Sequence, residues 1–168
     1  METSIPALLI AAILMITTVV MARSGYSSVD RMGQSWQVME ERLEEQVRTE
    51  LTTVETLVDP SYANITVRLR NDGQTAIADW ARMDVVVQYF SESGTRYVRW
   101  IPYTSGALQS NTWTLVDIQN DSFEPDVLNS GEIAELRIRI NPLMGVGTTA
   151  WVIVSTENGV TVSAAVTG

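Results

Sequence analysis

Residues 65–90 read ITVRLRNDGQTAIADWARMDVVVQYF. Apolar and polar side chains alternate along the first part, β-branched and aromatic residues crowd the last part, and Asn71-Asp72-Gly73 lies between them. A period of two marks strands, and Asn, Asp and Gly mark turns. The stretch therefore reads as strands over residues 62–70 and 82–90.

The same pattern repeats toward the C-terminus. Strands are expected at 95–101, 112–118, 132–140, 150–155 and 160–166. Turn clusters at 91–94, 104–106, 129–131 and 145–147 separate them, and Asn158-Gly159 reads as a two-residue hairpin. Seven short strands after Pro60 predict an antiparallel β-sandwich of immunoglobulin type, without the Cys…Trp…Cys signature of antibody domains.

Upstream of Pro60 the period lengthens. Residues 5–22, IPALLIAAILMITTVVMA, carry no charge. As a helix this run spans about 27 Å, close to the ~30 Å hydrocarbon core of a bilayer. Residues 24–58 then place Val29, Met32, Trp36, Met39, Leu43, Val47, Leu51, Val54 and Val58 three or four apart, an apolar stripe at helical spacing. Glu40, Glu41, Arg42, Glu44, Glu45, Arg48, Glu50 and Glu55 occupy the other faces, and Asp59-Pro60 is read as the helix stop. The expected fold class is α+β: a long hydrophobic N-terminal helix in residues 1–59 (apolar 5–22, amphipathic 24–58) and a sandwich in residues 60–168. A helix of roughly 80 Å exceeds the ~30 Å width of a 110-residue domain, so much of its stripe needs partners from other chains.

The apolar run has two leading readings. It is a membrane anchor, or a packing segment laid bare when a basic leader preceding Met1 is removed. A secretory signal would begin with basic residues, whereas Glu2 stands here. A buried core helix is the remaining alternative.

Composition narrows the function. The 168 residues contain no cysteine, no histidine and no lysine, and all 11 basic residues are arginine. These absences remove Ser-His-Asp and Cys-His nucleophile pairs, His-based zinc sites, Schiff-base lysines and the Walker lysine. A net charge of −9 lacks the basic footprint of a nucleic-acid binder. No enzyme, catalytic residue, cofactor or metal is expected. Asp117, Asp121, Glu124 and Asp126 could offer oxygen ligands to calcium, but their spacing fits no EF-hand and reads as a solvated acidic loop. Trp36, Trp80, Trp100, Trp113 and Trp151 read as core or interface anchors before they read as sugar-stacking platforms. Asn120 and Asn64 head Asn-x-Ser/Thr acceptor triplets, with Asn120 in an expected loop.

The near-terminal apolar segment, its striped continuation and the C-terminal sandwich together resemble the archaellin and type IV pilin-like superfamily. Residues 65–90 look like the strand, Asn-x-Gly turn and second strand of archaellins and the related archaellum stator proteins. Type IV pilins usually carry glutamate at the fifth mature position, and Ile5 here favours archaellin. The resemblance implies a motility filament (an archaeal flagellin) at the cell surface, made from a membrane-inserted precursor and built as a homopolymer through the N-terminal helices. Ile5, Ala7, Leu8, Leu9, Ala11, Ala12, Leu14 and Met15 would line the filament core, and Ala7, Ala11 and Ala12 would permit close helix approach. A membrane-anchored stator, an envelope-binding protein and an adhesive pilin are the alternatives.

Overall fold

A computed structural model describes the backbone of residues 4–121 and 123–168, and their side chains except those of 4–8 and 22–31. The chain divides into two compact units, Met1–Leu43 and Glu44–Gly168. The first consists of helix α1, Ser4–Arg48, up to Leu43, and the last turn of α1 belongs to the second.

The second unit is a sandwich of two four-stranded antiparallel sheets. The strands are β1 (Leu51–Val58), β2 (Asn64–Asn71), β3 (Asp84–Phe90), β4 (Arg96–Ile101), β5 (Thr112–Gln119), β6 (Ile133–Arg139), β7 (Thr149–Ser155) and β8 (Thr161–Thr167). One sheet has the order β1-β2-β6-β5 and the other β4-β3-β7-β8. The inward residues of both fill the core, among them Ile65, Val67 and Leu69 of β2, Val85, Val87 and Tyr89 of β3, Leu136 and Ile138 of β6, and Val152 and Val154 of β7. Burial raises the pKa of the Tyr89 hydroxyl, which donates to the Pro142 carbonyl at 2.9 Å. Trp113 is fully buried against Tyr103, whose tilted ring lies 4.8 Å away, and its indole N–H has no hydrogen-bond partner among the described residues.

The seven expected strands are present as β2 to β8, with ends moved by one or two residues. The helical reading of 24–58 needs correction at its end. The helix stops at Arg48, and Leu51–Val58, expected to carry the stripe onward, is strand β1. The sandwich thus begins before residue 60. A bulge explains the misleading spacing. Pairing with β2 shifts register between Thr53 and Glu55, so Val54 is an extra residue and the side-chain alternation resets. Leu51 and Val58 face the core, while Val54 and Leu57 lie exposed. The inward Leu51 and Val58 and the outward Val54 at the bulge therefore imitate helical steps of three and four. Thr52, Thr53, Val54 and Thr56 are β-branched, and a strand holds such a run more readily than a helix does.

Asp59-Pro60 closes the β1–β2 hairpin instead of ending a helix. Its carboxylate accepts from the backbone N–H of Ala63 (3.1 Å) and Asn64 (3.2 Å), from Ser61 Oγ (2.9 Å) and from Asn64 Nδ2 (2.6 Å). Burial alone would raise the Asp59 pKa, but these hydrogen bonds, led by Asn64, hold it below the ordinary carboxyl value. The turn before β8 also differs from expectation. It spans residues 156–160, with Thr156 N–H donating to the Val160 carbonyl at 2.9 Å.

Candidate functional site

Two features of the chain are built for contact rather than chemistry. The first is the surface of α1. Leu9, Ile10, Ile13, Leu14, Met15, Ile16, Val19, Val20 and Met21 are all exposed, and so are Ala11 and Ala12 between them. Thr17 and Thr18 add no free polarity. Their hydroxyls donate back to the Ile13 carbonyl (2.9 Å) and the Leu14 carbonyl (2.7 Å). A helix whose hydroxyls are satisfied internally can enter a dry environment without an orphan donor. Burying these apolar side chains away from water is worth on the order of 10 kcal/mol.

Farther along, Met32, Trp36, Met39, Leu43 and Val47 are exposed at steps of four, three, four and four. Glu40, Glu41, Arg42, Glu44 and Glu45 flank the stripe. Of the expected helix residues, the side chains of Ile5, Ala7, Leu8 and Val29 lie outside the described residues. Among the described residues no helix is long and apolar enough to cross a membrane, and the described side chains of the uncharged run are those of residues 9–21.

The second feature is a clasp inside the sandwich unit that holds the last turn of α1. Helix C-termini leave carbonyls without intrahelical partners. Here the sandwich supplies donors. Gln74 N–H donates to the Arg48 carbonyl at 2.7 Å and Thr75 N–H to the same oxygen at 3.3 Å. Asp72 and Gly73 N–H groups donate to the Glu50 carbonyl at 2.8 and 3.1 Å. From the β7–β8 turn, Asn158 Nδ2 donates to Thr49 Oγ1 at 2.6 Å and to the Glu45 carbonyl at 3.4 Å. Asn71 anchors the clasp from below. Its buried side chain donates to the Thr75 and Leu128 carbonyls at 2.9 and 3.0 Å and accepts from Gly73 N–H at 3.0 Å.

Gly73 is there because nothing larger fits. A Cβ would press on Glu50 N and lie 2.5 Å from the Arg48 carbonyl oxygen. Asp72 accepts from Arg70 Nε and Thr52 Oγ1, each at 2.5 Å, and these bonds hold its carboxyl below the ordinary value. In the sequence Asn71-Asp72-Gly73 signals only a turn, and its role as a receptor for the helix end depends on contacts far along the chain.

The remaining candidates do not converge on a site. Asp117, Asp121, Glu124 and Asp126 are exposed, and no group of three or more carboxylates close enough to hold a metal occurs among the described residues. Trp80 and Trp113 are core residues, and Trp80 Nε1 donates to the Asp126 carbonyl at 2.9 Å. Trp36, Trp100 and Trp151 are exposed. Asn64 is half-buried with its amide nitrogen on Asp59, whereas Asn120 is exposed in a turn with φ of 65°.

No family model matches the chain, and no curated protein matches it. Among solved structures it is similar to the archaellum periplasmic stator protein FlaG from Sulfolobus acidocaldarius, at 20% identity and a TM-score of 0.53, covering 70% of this chain and 99% of that one. The archaellum periplasmic stator complex of FlaF and FlaG from the same organism matches at 21% identity and a TM-score of 0.54, covering 70% of this chain and 89% of that one. The archaeal flagellum of Methanospirillum hungatei strain JF1 aligns at 15% identity and a TM-score of 0.48, over 95% of this chain and 92% of that one. At these identities, the likeness to the two stator structures is one of fold.

Proposed function

We propose that this chain is a non-catalytic structural subunit of an archaellum-type surface assembly, and that its copies associate through α1. The observation that carries the reading is the exposed apolar surface of α1. A single membrane span needs about 20 residues. Here a second set of exposed apolar side chains, from Met32 to Val47, follows the uncharged run. An anchor gives that second set nothing to do, whereas a bundle of like helices covers it. Copies related head to tail in a non-closing way then build a helical filament. In this reading the precursor waits in the membrane, packing between helices drives its transfer, and the acidic sandwich faces water at the cell surface.

The sandwich is read as immunoglobulin-like. The orders β1-β2-β6-β5 and β4-β3-β7-β8 correspond to the A-B-E-D sheet and to a C-F-G sheet extended by one edge strand. Asn120 is the better placed of the two glycan acceptors, since attachment at Asn64 would displace its bond to Asp59.

A membrane-anchored stator is the second reading, and it is favoured by the fold likeness to FlaG. Negative-stain microscopy of a sheared cell-surface fraction, with mass spectrometry of its main band, separates the two. Filaments composed mainly of this chain are expected. A chain that stays with the membrane and is missing from sheared filaments would replace the filament reading with the stator one.

A further inference from the structure

The two outer faces of the sandwich differ in kind. On the β1-β2-β6-β5 sheet, Arg68 bridges Glu55 (2.6 Å) and Glu135 (3.0 Å), and Arg137 reaches Glu135 at 3.2 Å, which is a solvated, charge-laced surface. The β4-β3-β7-β8 sheet turns apolar side chains outward in register. One row runs Trp100, Val86, Ile153, Ser163, and the next runs Val98, Gln88, Trp151, Ala165. Trp100 is 60% exposed, Val98 58%, Trp151 48% and Ile153 42%. With Phe90 these side chains show roughly 500 Å² to solvent, within the range of the largest patches on monomeric proteins, which are often functional.

Charge appears only at the two ends of this face. Asp84 begins β3, and Arg96 pairs with Phe90 at the opposite end. Each is already oriented, with Trp100 Nε1 on Asp84 Oδ1 at 2.8 Å and Arg96 Nη2 on Gln88 Oε1 at 2.8 Å.

We infer that this face is a two-fold contact between sandwiches of two copies of the chain, the strands of one running antiparallel to those of the other. Three observations choose a second copy as the occupant. Each chain carries a net charge of −9, so like copies can approach closely only where the surface is neutral, and the middle of this face is neutral. A two-fold axis lying across the strands exchanges the two rows. Trp100 then meets Val98 of the other copy and Trp151 meets Ile153, so each bulky ring opposes a smaller branched side chain. The same axis brings the Asp84 end of one copy beside the Arg96 end of the other, which pairs opposite charges at both margins. The polar rim of Thr149, Ser155, Ser163 and Thr167 extends the apolar patch toward the ~800 Å² per partner of a standard interface. Copies stacked head to tail are not related by a two-fold. In the filament reading this contact therefore joins copies outside one helical stack, such as those of neighbouring filaments, and in the stator reading it joins two anchored copies.

The absence of native cysteine gives a clean test. Across two sheets about 10 Å apart and offset by two residues along the strand, Gln88 of one copy lies roughly 12 Å from Gln88 of the other, within reach of a short bismaleimide. The full-length chain in detergent micelles is prepared as Gln88→Cys and, with the cysteine outward on the charged sheet, as Thr66→Cys. Q88C should give at least tenfold more cross-linked dimer than T66C. Adding Trp151→Ser should bring Q88C down to the T66C level, while circular dichroism stays unchanged because Trp151 lies outside the core. Micelle crowding by α1 raises both yields alike, and the ratio should survive Ala11→Arg, which separates this contact from helix association. Equal yields from the two faces would overturn the inference, as would a Q88C yield indifferent to Trp151→Ser. Protection of Q88C from monofunctional maleimide by detergent without dimer formation would assign the face to lipid and overturn it too.

Discussion

Replacing Gly73 with alanine should loosen the clasp and cost the sandwich about 2–4 kcal/mol. The figure follows from the geometry. The new Cβ would lie 2.5 Å from the Arg48 carbonyl oxygen and 3.0 Å from Thr49 C, where ordinary carbon–oxygen contacts are about 3.3 Å or more. Both neighbours are backbone, so no side chain can swing aside. The segment after α1 must withdraw by close to 1 Å, which stretches the bonds from Asp72 and Gly73 to Glu50 and from Gln74 to Arg48. Losing two or three bonds at about 1 kcal/mol each, with some residual strain, gives the stated range. For a unit of this size the midpoint of thermal unfolding should fall by roughly 10 °C. Urea unfolding of the fragment Glu44–Gly168, followed by circular dichroism, measures the loss directly. Gly106→Ala is the control, because its Cβ would meet nothing nearer than Thr104 Oγ1 at 3.8 Å, and it should stay within about 0.5 kcal/mol of the parent. A Gly73→Ala protein as stable as Gly106→Ala would refute the clasp as an energetic feature.

Other outcomes follow from the same contacts. A fragment beginning at Glu44 should unfold cooperatively, whereas one beginning at Asp59 lacks β1, exposes the edge of β2 and should aggregate or lose most of its stability, as sedimentation and melting would report. Asp59→Ala should cost about 1–2 kcal/mol at neutral pH through the loss of the hairpin's hydrogen bonds. Because folding lowers the Asp59 pKa, its contribution is present above the ordinary carboxyl range and disappears as pH falls through the folded value, so acid titration of stability should be flatter in the variant. Ala11→Arg should abolish assembly and leave the sandwich's circular dichroism unchanged, since an unpaired charge in a dry helix bundle costs several kcal/mol, and normal filaments from it would place this face outside the core.

In β2 and β6 one face on the core and one on water writes a period of two, while β3 and β7, apolar on both faces, show instead as β-branched and aromatic runs between turn residues, so strands β2 to β8 were legible. Strand β1 was not. Its bulge at Val54 spaces Leu51, Val54 and Val58 as a helix would, and the run directly continues a true helical stripe. Spacing does not mark where one period hands over to another when the residue types agree with both. The β-branched content of Leu51–Val58 was the available counter-signal, and it is a weak one beside spacing.

The contact surfaces divide along the same line. Exposure of the apolar run could be inferred from length alone, since a helix longer than its domain cannot be covered by it. The clasp and the apolar sheet face could not, because both depend on register. Trp100 and Trp151 are 51 residues apart, and only the pairing of β4 with β3 and of β3 with β7 sets them on adjacent rows of one face. Likewise Asn158 reaches Thr49 across 109 residues because β8 packs beside β1 at the edge where the sheets meet. The fold therefore does more than present the helix. It joins the helix end to one edge of the sandwich and keeps the apolar face on another sheet, so two different kinds of contact can act on one chain without competing for the same residues.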